Sequence, residues 1–528
     1  FQAEDGIRDR SPSRGLGDVY KRQTLCMLFN SPIFIFVFLP LVVLIYALLN
    51  RGADKTLAKT FMVAASLFFY SYWSPIYLPL ILASILVNFF IGRRLSVSYQ
   101  ANKESANGVR KRYLLLGVFF NVGLLAYFKY VDFFIENFNV VFGGNVEALN
   151  IVLPLAISFF TFQQIAYLVD CYKEGARQYS LLDYALFVSF FPQLIAGPIV
   201  HHKEMMPQFL SQTGRGVNWE FFAQGVTIFC LGLFKKVFIA DTFSIWADAG
   251  FDSESPLSFF EAWGASLSYT FQLYYDFSGY TDMAIGAALM FGIRLPVNFN
   301  SPYKALNIQD FWRRWHITLS SWLRDYIYIP LGGNRAGESR MLVNLMLTFL
   351  IGGLWHGAGW TFVIWGGLHG LALVAHRLWS KTGLTMSRAV AWFVTFMFVN
   401  AAWVFFRAES LDSAVRMLSA MCDISTVRFG DIFLGVMQYY SPVPLPSLPV
   451  ASGALIVSIA TLQHLMIFGL VSLTMPNTIQ VSRYIPYRGR FALSFNLRWS
   501  FLVGALFFIS CATFVGDSSP SKFLYFNF

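Results

Sequence analysis

The stretch MLVNLMLTFLIGGLWHGAGWTFVIW, residues 341–365, is predominantly apolar and carries a single histidine, His356. A helix needs roughly 20 mostly apolar residues to cross the hydrocarbon core of a bilayer, so this stretch is long enough to enter a membrane. Ionisable side chains at membrane depth are costly, and they usually serve a function. Upstream, FWRRWH at 311–316 places a second histidine, His316, in apolar surroundings. Two such histidines indicate proton-transfer chemistry on a substrate that enters the bilayer.

The same apolar character extends through the chain. Of its 528 residues, 56% are hydrophobic and 13% are charged, whereas a soluble domain averages roughly 25% charged residues. We therefore predict an all-α, polytopic membrane protein with about 11 to 14 transmembrane or re-entrant helices around a central funnel or tunnel. The predicted segments are 32–50, 58–74, 77–92, 113–135, 151–169, 182–200, 220–240, 259–276, 279–293, 342–358, 360–376, 390–406, 453–475 and 498–515.

The net charge of +10 comes largely from basic residues in short loops, as at 93–112 and 294–340. This is the positive-inside pattern, which predicts that both loops face the cytoplasm and that the acidic loop 136–150 lies outside. We expect a multi-pass protein of the cell inner (cytoplasmic) membrane, in contact with membrane lipid. No basic soluble domain is evident, so no nucleic-acid partner is expected. The five cysteines form no C-x-x-C pair, so no metal site is expected.

The first 26 residues differ from the rest in composition. They are polar, rich in glycine and mixed in charge, and they contain no apolar core of the kind that a signal peptide needs. We interpret residues 1–26 as a non-native or disordered leader and residues 27–528 as a single integral-membrane domain.

His356 is the strongest catalytic candidate. Four glycines surround it, at 352, 353, 357 and 359, and glycine lets a backbone or a ligand approach closely. Trp355 and Trp360 could form rigid walls of a substrate site. A neutral imidazole between them could take a proton from a hydroxyl, as a general base. The residues equally allow a structural histidine that is bonded to a neighbouring helix.

His316 follows two arginines, Arg313 and Arg314, with which it could bind a donor that carries phosphate or carboxylate. The alternative is a cationic interfacial helix anchored by its tryptophans. The surrounding segment, 305–331, is too polar to face lipid and too apolar to be solvated, which predicts a re-entrant or interfacial helix buried among others. Asp310 and Arg314 are four residues apart and should pair on one face of that helix.

The run YYDFSGYTD at 274–282 places carboxylates and hydroxyls within apolar sequence. It predicts a broken helix that lines a polar cavity, with Tyr275, Asp276 and Asp282 in contact with substrate. The alternative is ion coordination in a transporter, in which unwound helices have a similar role. The chain contains neither G-x-x-x-x-G-K-[ST] nor G-x-S-x-G, so ATP hydrolysis and a hydrolase-type serine nucleophile have no support.

Taken together, these segments resemble the membrane-bound O-acyltransferase family, and within it the bacterial alginate O-acetyltransferase type. The resemblance covers residues from about 27 to 407 in order. The matching runs are LFNSPIFIFVFLPL, LPLAISFFTFQQIAYLVDCY, FPQLIAGPI, GLFKKVFIAD, YYDFSGYTDMAIG, NFNSPYKALNIQDFWRRWHITLSSWLRDYIYIPLGG, LWHGAGWTFVIWGGLHG and WVFFRA.

The resemblance implies a membrane acyltransferase in which His356 is the family's essential histidine and His316 its second characteristic position. It implies that acetyl passes from a cytoplasmic thioester donor, such as acetyl-CoA, toward hydroxyls of an exported, alginate-like polysaccharide. Extracytoplasmic acetyltransferase partner proteins would complete the transfer, and the thioester would be a co-substrate and not a tightly bound cofactor. Two alternatives remain: a D-alanyl or other acyl transferase fed by a carrier protein, and a non-catalytic transporter of polysaccharide or lipid.

Overall fold

The structure, a computed structural model, consists of helices and connecting segments, with no strand among the residues that it describes. These residues are 27–52, 55–101, 107–175, 179–195, 197–211, 217–335, 337–427, 459–493, 496–516 and 524. The predicted leader, 1–26, lies outside them.

The first half of the chain forms α1 (Leu39–Leu49), α2 (Thr56–Trp73), α3 (Leu78–Ala101), α4 (Asn107–Leu125), α5 (Val131–Phe142), α6 (Ile157–Glu174), α7 (Leu181–Ser189), α8 (Phe191–Leu194), α9 (His202–Ser211), α10 (Trp219–Phe234) and α11 (Asp241–Phe251). The second half forms α12 (Phe259–Met290), α13 (Ile308–Trp312), α14 (Ile317–Leu323), α15 (Glu338–His356), α16 (Trp360–Trp379), α17 (Arg388–Arg407), α18 (Leu411–Cys422), α19 (Ile459–Thr474), α20 (Thr478–Val481) and α21 (Leu497–Gly516). Turns of π-helix extend or join several of them, at Phe34–Phe38, Ala126–Tyr130, Lys235–Ala240 and Arg324–Tyr328.

Four helical segments of the described chain are long and apolar enough to cross a membrane: 75–97, 108–142, 219–251 and 388–407. Shorter apolar helices cover 34–49, 460–474 and 497–513. The predicted fold class, an all-α membrane protein, is therefore confirmed. The exact number of spans and the central tunnel stay predictions.

One long helix fixes the relation between the two loops whose charges differ most. The segment 108–142 has 35 residues, which makes it roughly 50 Å long at 1.5 Å per residue. That length exceeds the hydrocarbon core, about 30 Å thick. The basic loop 93–112 and the acidic loop 136–150 therefore lie at opposite ends of a helix that is long enough to separate the two sides of a membrane.

Three predicted segments are wrong in detail. Residues 259–276 and 279–293 were predicted as separate segments around a broken helix, but α12 is one continuous helix of 32 residues. Residues 182–200 were predicted as a single span, but the chain there forms the short helices α7 and α8, and 198–200 are not helical. Pro192 at the start of α8 and Pro198 after it explain the short helices, because proline fits a first turn and interrupts a helix interior.

The continuity of α12 has a packing reason. Gly279, where the break was predicted, lies against the backbone of α10, and a Cβ there would meet the carbonyl oxygen of Gly232 at 2.8 Å. Gly286 makes the same close approach to Gly225 one heptad further along. Small residues at this spacing let two helix backbones pack directly, as is common between helices in membranes. Gly279 therefore belongs to a helix–helix contact.

The segment 305–331, predicted to be a re-entrant helix, packs into the protein together with the residues that lead to it from 294, but it forms two short helices and not one. α13 and α14 are separated by a turn in which His316 adopts φ +42°, in the left-handed region. The segment penetrates far enough for the hydroxyl of Tyr303 to donate to the carbonyl of Thr270, 2.6 Å away on α12. Trp315 and His316 are fully buried at the turn. The re-entrant turn thus places a histidine in the protein interior.

Candidate active site

His356 is the last residue of α15, and the three residues 357–359 connect it to α16. The two helices pack closely because Gly353 and Gly366 face one another, and a Cβ on Gly353 would collide with the carbonyl oxygen of Phe362. These glycines serve helix packing. His356 therefore lies at the turn of a helical hairpin, near the end of the predicted segment 342–358.

The imidazole of His356 is 3% exposed and sits among aromatic rings. Trp355 and Trp365 contact it edge-on, with centroid distances of 4.9 and 5.0 Å. Phe406 of α17 contacts it at 5.2 Å. Burial in such surroundings disfavours a charged imidazolium, so the ring is suited to act as a neutral base.

His316 and His356, the two histidines predicted to be catalytic, come together in the structure. Their ring centroids are 6.5 Å apart. Nδ1 of His316 lies 3.1 Å from Oδ1 of Asn298, and the backbone N–H and hydroxyl of Thr318 also donate to that oxygen. An amide oxygen only accepts hydrogen bonds, so Nδ1 donates and the neutral His316 ring keeps its lone pair on Nε2. Asn298 thus selects the tautomer of His316.

His369 is a third buried histidine beside the same aromatic cluster. Its Nδ1 accepts a hydrogen bond from Nε1 of Trp312 at 3.2 Å, so the neutral ring carries its proton on Nε2. Its ring contacts Trp365 at a centroid distance of 4.8 Å, and Trp365 in turn contacts His356. His369 was not predicted to be catalytic, because its nearness to His356 in the sequence was the one feature that set it apart from the other histidines.

Lys129 and Tyr130 hold the end of α15. Both lie on the π-turn that joins α4 to α5; Lys129 donates to the carbonyls of Trp355 and His356, and Tyr130 to that of Leu354. The last carbonyls of a helix have no partner within the helix, so these bonds fix the residues that carry the catalytic candidate. Lys129 is 22 residues beyond the start of α4, roughly 33 Å along the helix. The site is thus nearer to the end of the helix predicted to face outside.

Arg313 and Arg314 differ in their surroundings. Arg314 pairs with Asp310, as the spacing predicted, with 2.9 Å between Nε and Oδ1. Together with burial, its charge lowers the pKa of Lys304. Arg313 is exposed, and no ion pair is found for it among the described residues. If either arginine meets a donor, Arg313 is the better placed, because Arg314 already has a carboxylate partner.

The two predicted tryptophan walls lie in different places. Trp355 is buried beside His356, and its ring stacks on Phe162 at 5.1 Å. Trp360 is 55% exposed at the start of α16, where its Nε1 donates to Asn137 at 2.9 Å. It borders a cleft of about 470 Å³ that also includes Glu136 and Glu409. The cleft opens beside the hairpin turn that follows His356, on the side predicted to be outside.

Three residues of α12 were predicted to contact substrate: Tyr275, Asp276 and Asp282. Among the described residues, no contact joins them to the histidines. The hydroxyl of Tyr275 donates to the carbonyl of Phe468 at 2.8 Å. The carboxylates of Asp276 and Asp282 pair with Lys236 and Lys235, each at 2.7 Å. The predicted polar cavity is therefore replaced by buried ion pairs between α12 and the π-turn after α10.

Four residues that position or pair other groups were not predicted from the sequence: Asn298, Lys129, Lys235 and Lys236. Asn298 and the two lysines at 235–236 do fall within runs that carry the family resemblance. The partner of Asn298 is 18 residues away in the sequence, and that of Lys129 is 227 residues away. No local sequence pattern could therefore reveal these contacts. Among the described residues, no group of histidine, cysteine and acidic side chains is arranged to hold a metal ion.

Comparison with known proteins agrees with this geometry. The model of the membrane-bound O-acyltransferase family matches residues 170–414, which include His316 and His356. The chain is 46% identical to the peptidoglycan O-acetyltransferase of Helicobacter pylori, over 95% of this chain and 98% of that protein. It is 39% identical to the probable alginate O-acetylase AlgI of Pseudomonas putida, over 95% and 100%. It is 27% identical to the teichoic acid D-alanyltransferase of Streptococcus thermophilus, over 44% and 59%.

Proposed function

The chain belongs to the membrane-bound O-acyltransferase family, and from this premise we propose that it is an inner-membrane O-acetyltransferase acting on an exported glycan. In this proposal acetyl moves from a cytoplasmic thioester, acetyl-CoA or another acyl thioester, to glycan hydroxyls outside. The thioester is a co-substrate, and no cofactor stays bound between turnovers. The observation that carries the proposal is the buried pair His316 and His356, with ring centroids 6.5 Å apart.

His356 is the proposed general base. As the acceptor hydroxyl attacks the thioester carbonyl, its proton passes to the His356 imidazole, and the thiolate that leaves takes the proton back. Such proton transfer typically accelerates a reaction by about 10²–10⁴-fold. His316, whose Nε2 lone pair is set by the bond to Asn298, orients the hydroxyl toward His356. The aromatic surroundings keep water away from the activated acyl group.

The two substrates are proposed to approach from opposite sides. Arg313, exposed on the segment predicted to be cytoplasmic, is suited to the phosphates of the donor. The cleft beside Trp360, with its exposed indole and the carboxylates of Glu136 and Glu409, opens near the other end of the histidine site. An acceptor sugar, or an extracytoplasmic partner protein that relays acetyl to the polymer, would enter there.

The relatives suggest which glycan to test first. Peptidoglycan is named for the Helicobacter pylori relative at 46% identity, and alginate for the Pseudomonas putida relative at 39%. We propose peptidoglycan as the first acceptor and alginate as the second. D-alanine transfer is a weaker candidate, because the D-alanyltransferase of Streptococcus thermophilus aligns with 44% of this chain.

The test is transfer of labelled acetyl from acetyl-CoA by membranes that contain the protein. The membranes receive peptidoglycan strands, alginate oligomers or no acceptor, with and without extracytoplasmic proteins of the same cell. Ester-linked label on one glycan, lost in His356→Ala membranes with equal protein, is the expected result. Label on D-alanine esters alone would favour the D-alanyl alternative. Uptake of intact donor or glycan with no new ester would identify a transporter and overturn the proposal.

A further inference from the structure

The tryptophans can be divided into two groups, according to whether the indole N–H has a hydrogen-bond acceptor in the protein. Most of those with an assigned partner donate to a backbone carbonyl: the N–H of Trp263 donates to Met421, that of Trp322 to Phe162 and that of Trp392 to Tyr303. By contrast, the Nε1 atoms of Trp355, Trp365 and Trp403 are buried and have no acceptor within hydrogen-bond distance among the described residues. A buried donor without an acceptor is destabilising, and such groups in a native protein call for an explanation.

Two of these N–H groups, those of Trp355 and Trp365, belong to rings that flank His356. Trp355 and Trp365 meet the imidazole at interplanar angles of 69° and 86°. Each indole is also held from its other side: Trp355 stacks on Phe162 at 5.1 Å, and Trp365 stacks on Trp403 at 5.7 Å. Rings that are packed this way cannot turn to find other acceptors. The donors are therefore fixed next to the proposed base.

A third donor lies beyond Trp365. His369 is fully buried, its Nδ1 accepts from Trp312, and its Nε2 has no acceptor among the described residues. The site therefore has an excess of N–H donors on rigid rings. A ligand that complements it must supply hydrogen-bond acceptors, as an acyl carbonyl does and a hydrocarbon chain does not.

We infer that the indole N–H groups of Trp355 and Trp365 bind the carbonyl oxygen of the acyl thioester and stabilise the negative charge that develops on it. The inference rests on the proposed acyl-transfer function. When the acceptor oxygen forms its bond to the carbonyl carbon, the carbonyl π-electrons move to the oxygen, and the hydroxyl proton moves to His356. Collapse of this intermediate re-forms the carbonyl, breaks the C–S bond and returns the proton to the thiolate. Preorganised donors act most strongly in a buried site of this kind.

The test removes each donor in two ways, with a smaller aromatic ring and with a ring of nearly the same shape. Trp355→Phe and Trp365→Phe remove the N–H, and incorporation of 3-benzothienylalanine at either position replaces it with sulfur at nearly constant shape. In the acetyl-transfer assay we expect kcat to fall by about 10²–10³-fold for the loss of one donor, with little change in the apparent KM for acceptor. The melting temperature of the benzothienyl variants should stay the same or rise, because the lost N–H had no protein acceptor to leave behind. Trp355→Phe and Trp365→Phe also remove packed ring volume and should lower it.

Trp392→Phe is the matched control. Its N–H donates to the carbonyl of Tyr303 at 2.9 Å, so its loss should lower the melting temperature and leave turnover per folded molecule unchanged. Benzothienyl variants at 355 and 365 that turn over like the unmodified protein, while His356→Gln is inactive in the same assay, would overturn this inference alone. Activity of His356→Gln would instead overturn the proposed function.

Discussion

Two buried polar clusters of this protein invite comparison: the histidine site of α15 and α16, and the ion pairs between α12 and the π-turn after α10. In the ion-pair cluster, Lys236 is 1% exposed and contacts the carboxylates of Asp276 and Asp241. Lys235 pairs with Asp282. In the histidine site the neighbours are aromatic rings, the amide of Asn298 and indole N–H groups. In the ion-pair cluster each charged side chain has an opposite charge beside it, whereas the histidine site contains buried N–H donors without an acceptor among the described residues.

The two clusters represent two kinds of ionisable residue at membrane depth. Both clusters are costly to bury, so composition alone points to function in each case. The partners distinguish them. A buried charge whose partner is another side chain can be explained by packing alone, whereas a buried donor with no partner in the protein suggests a substrate. We therefore interpret the ion pairs as stabilising and propose the histidine site as the place of the chemistry.

Loss of His356 should have the largest effect on chemistry. His356→Gln should lower the transfer rate by about 10²–10⁴-fold, because it removes the general base. The melting temperature should change little. His464→Gln is the control, since His464 is a partly buried histidine of α19 bonded to the carbonyl of Ala460. If both variants lose activity equally, His356 is not distinguished from a structural histidine.

Loss of Lys236 should have the largest effect on stability. Lys236→Met leaves Asp276 buried without its cation, and breaking a buried pair in this way costs about 3–5 kcal/mol. Chemical unfolding of the purified protein measures this cost. The double variant Lys236→Met/Asp276→Asn should recover part of it, and both should keep their turnover per folded molecule. Lost turnover at unchanged stability would move this cluster into the active site.

Asn298→Ala should have a smaller effect on the reaction. It removes the acceptor that orients His316, and a buried donor left without a partner costs about 1–3 kcal/mol. We expect turnover to fall roughly tenfold, in line with that energy. Thr318→Val is the control, because it removes another bond to the same amide oxygen and leaves the one to His316. Equal turnover in the two variants would contradict a special role for the His316 tautomer.

The arginines should show the smallest effects. Arg313→Gln should raise the apparent KM for the thioester several-fold, since it removes a charge-assisted contact to the donor phosphates. Arg314→Gln should leave this KM within about twofold and lower stability by less than about 1 kcal/mol, as is usual for a partly exposed pair. Initial rates against donor concentration decide between them. An unchanged KM in Arg313→Gln would leave the segment without a role in donor binding.

The sequence predicted what depends on local pattern. Apolar length predicted the helices, and the four-residue spacing of Asp310 and Arg314 predicted a pair that the structure confirms. The overall family and the enzyme class followed from several motifs in order. The contact between His316 and His356 was not predicted, because the two are 40 positions apart and belong to different segments of the chain.

What the sequence could not predict depends on long-range partners. The run at 274–282 was predicted to be a broken helix because its carboxylates were considered without the lysines at 235 and 236, which lie on another helix. Once Asp276 and Asp282 are neutralised by these lysines, α12 can continue through them. Lys129 was overlooked for the same reason, since its acceptor at His356 is 227 positions away.

The measurement that tests the central claim most directly is the transfer of acetyl across a sealed membrane. Proteoliposomes are sorted so that the basic loop 93–112 faces out, labelled acetyl-CoA is added outside, and the glycan acceptor is enclosed. We expect ester-linked label on the enclosed glycan with the unmodified protein. At equal amounts of folded protein, Lys236→Met/Asp276→Asn should give the same label and His356→Gln none. Equal labelling by His356→Gln, or entry of intact donor without any new ester, would contradict the central claim.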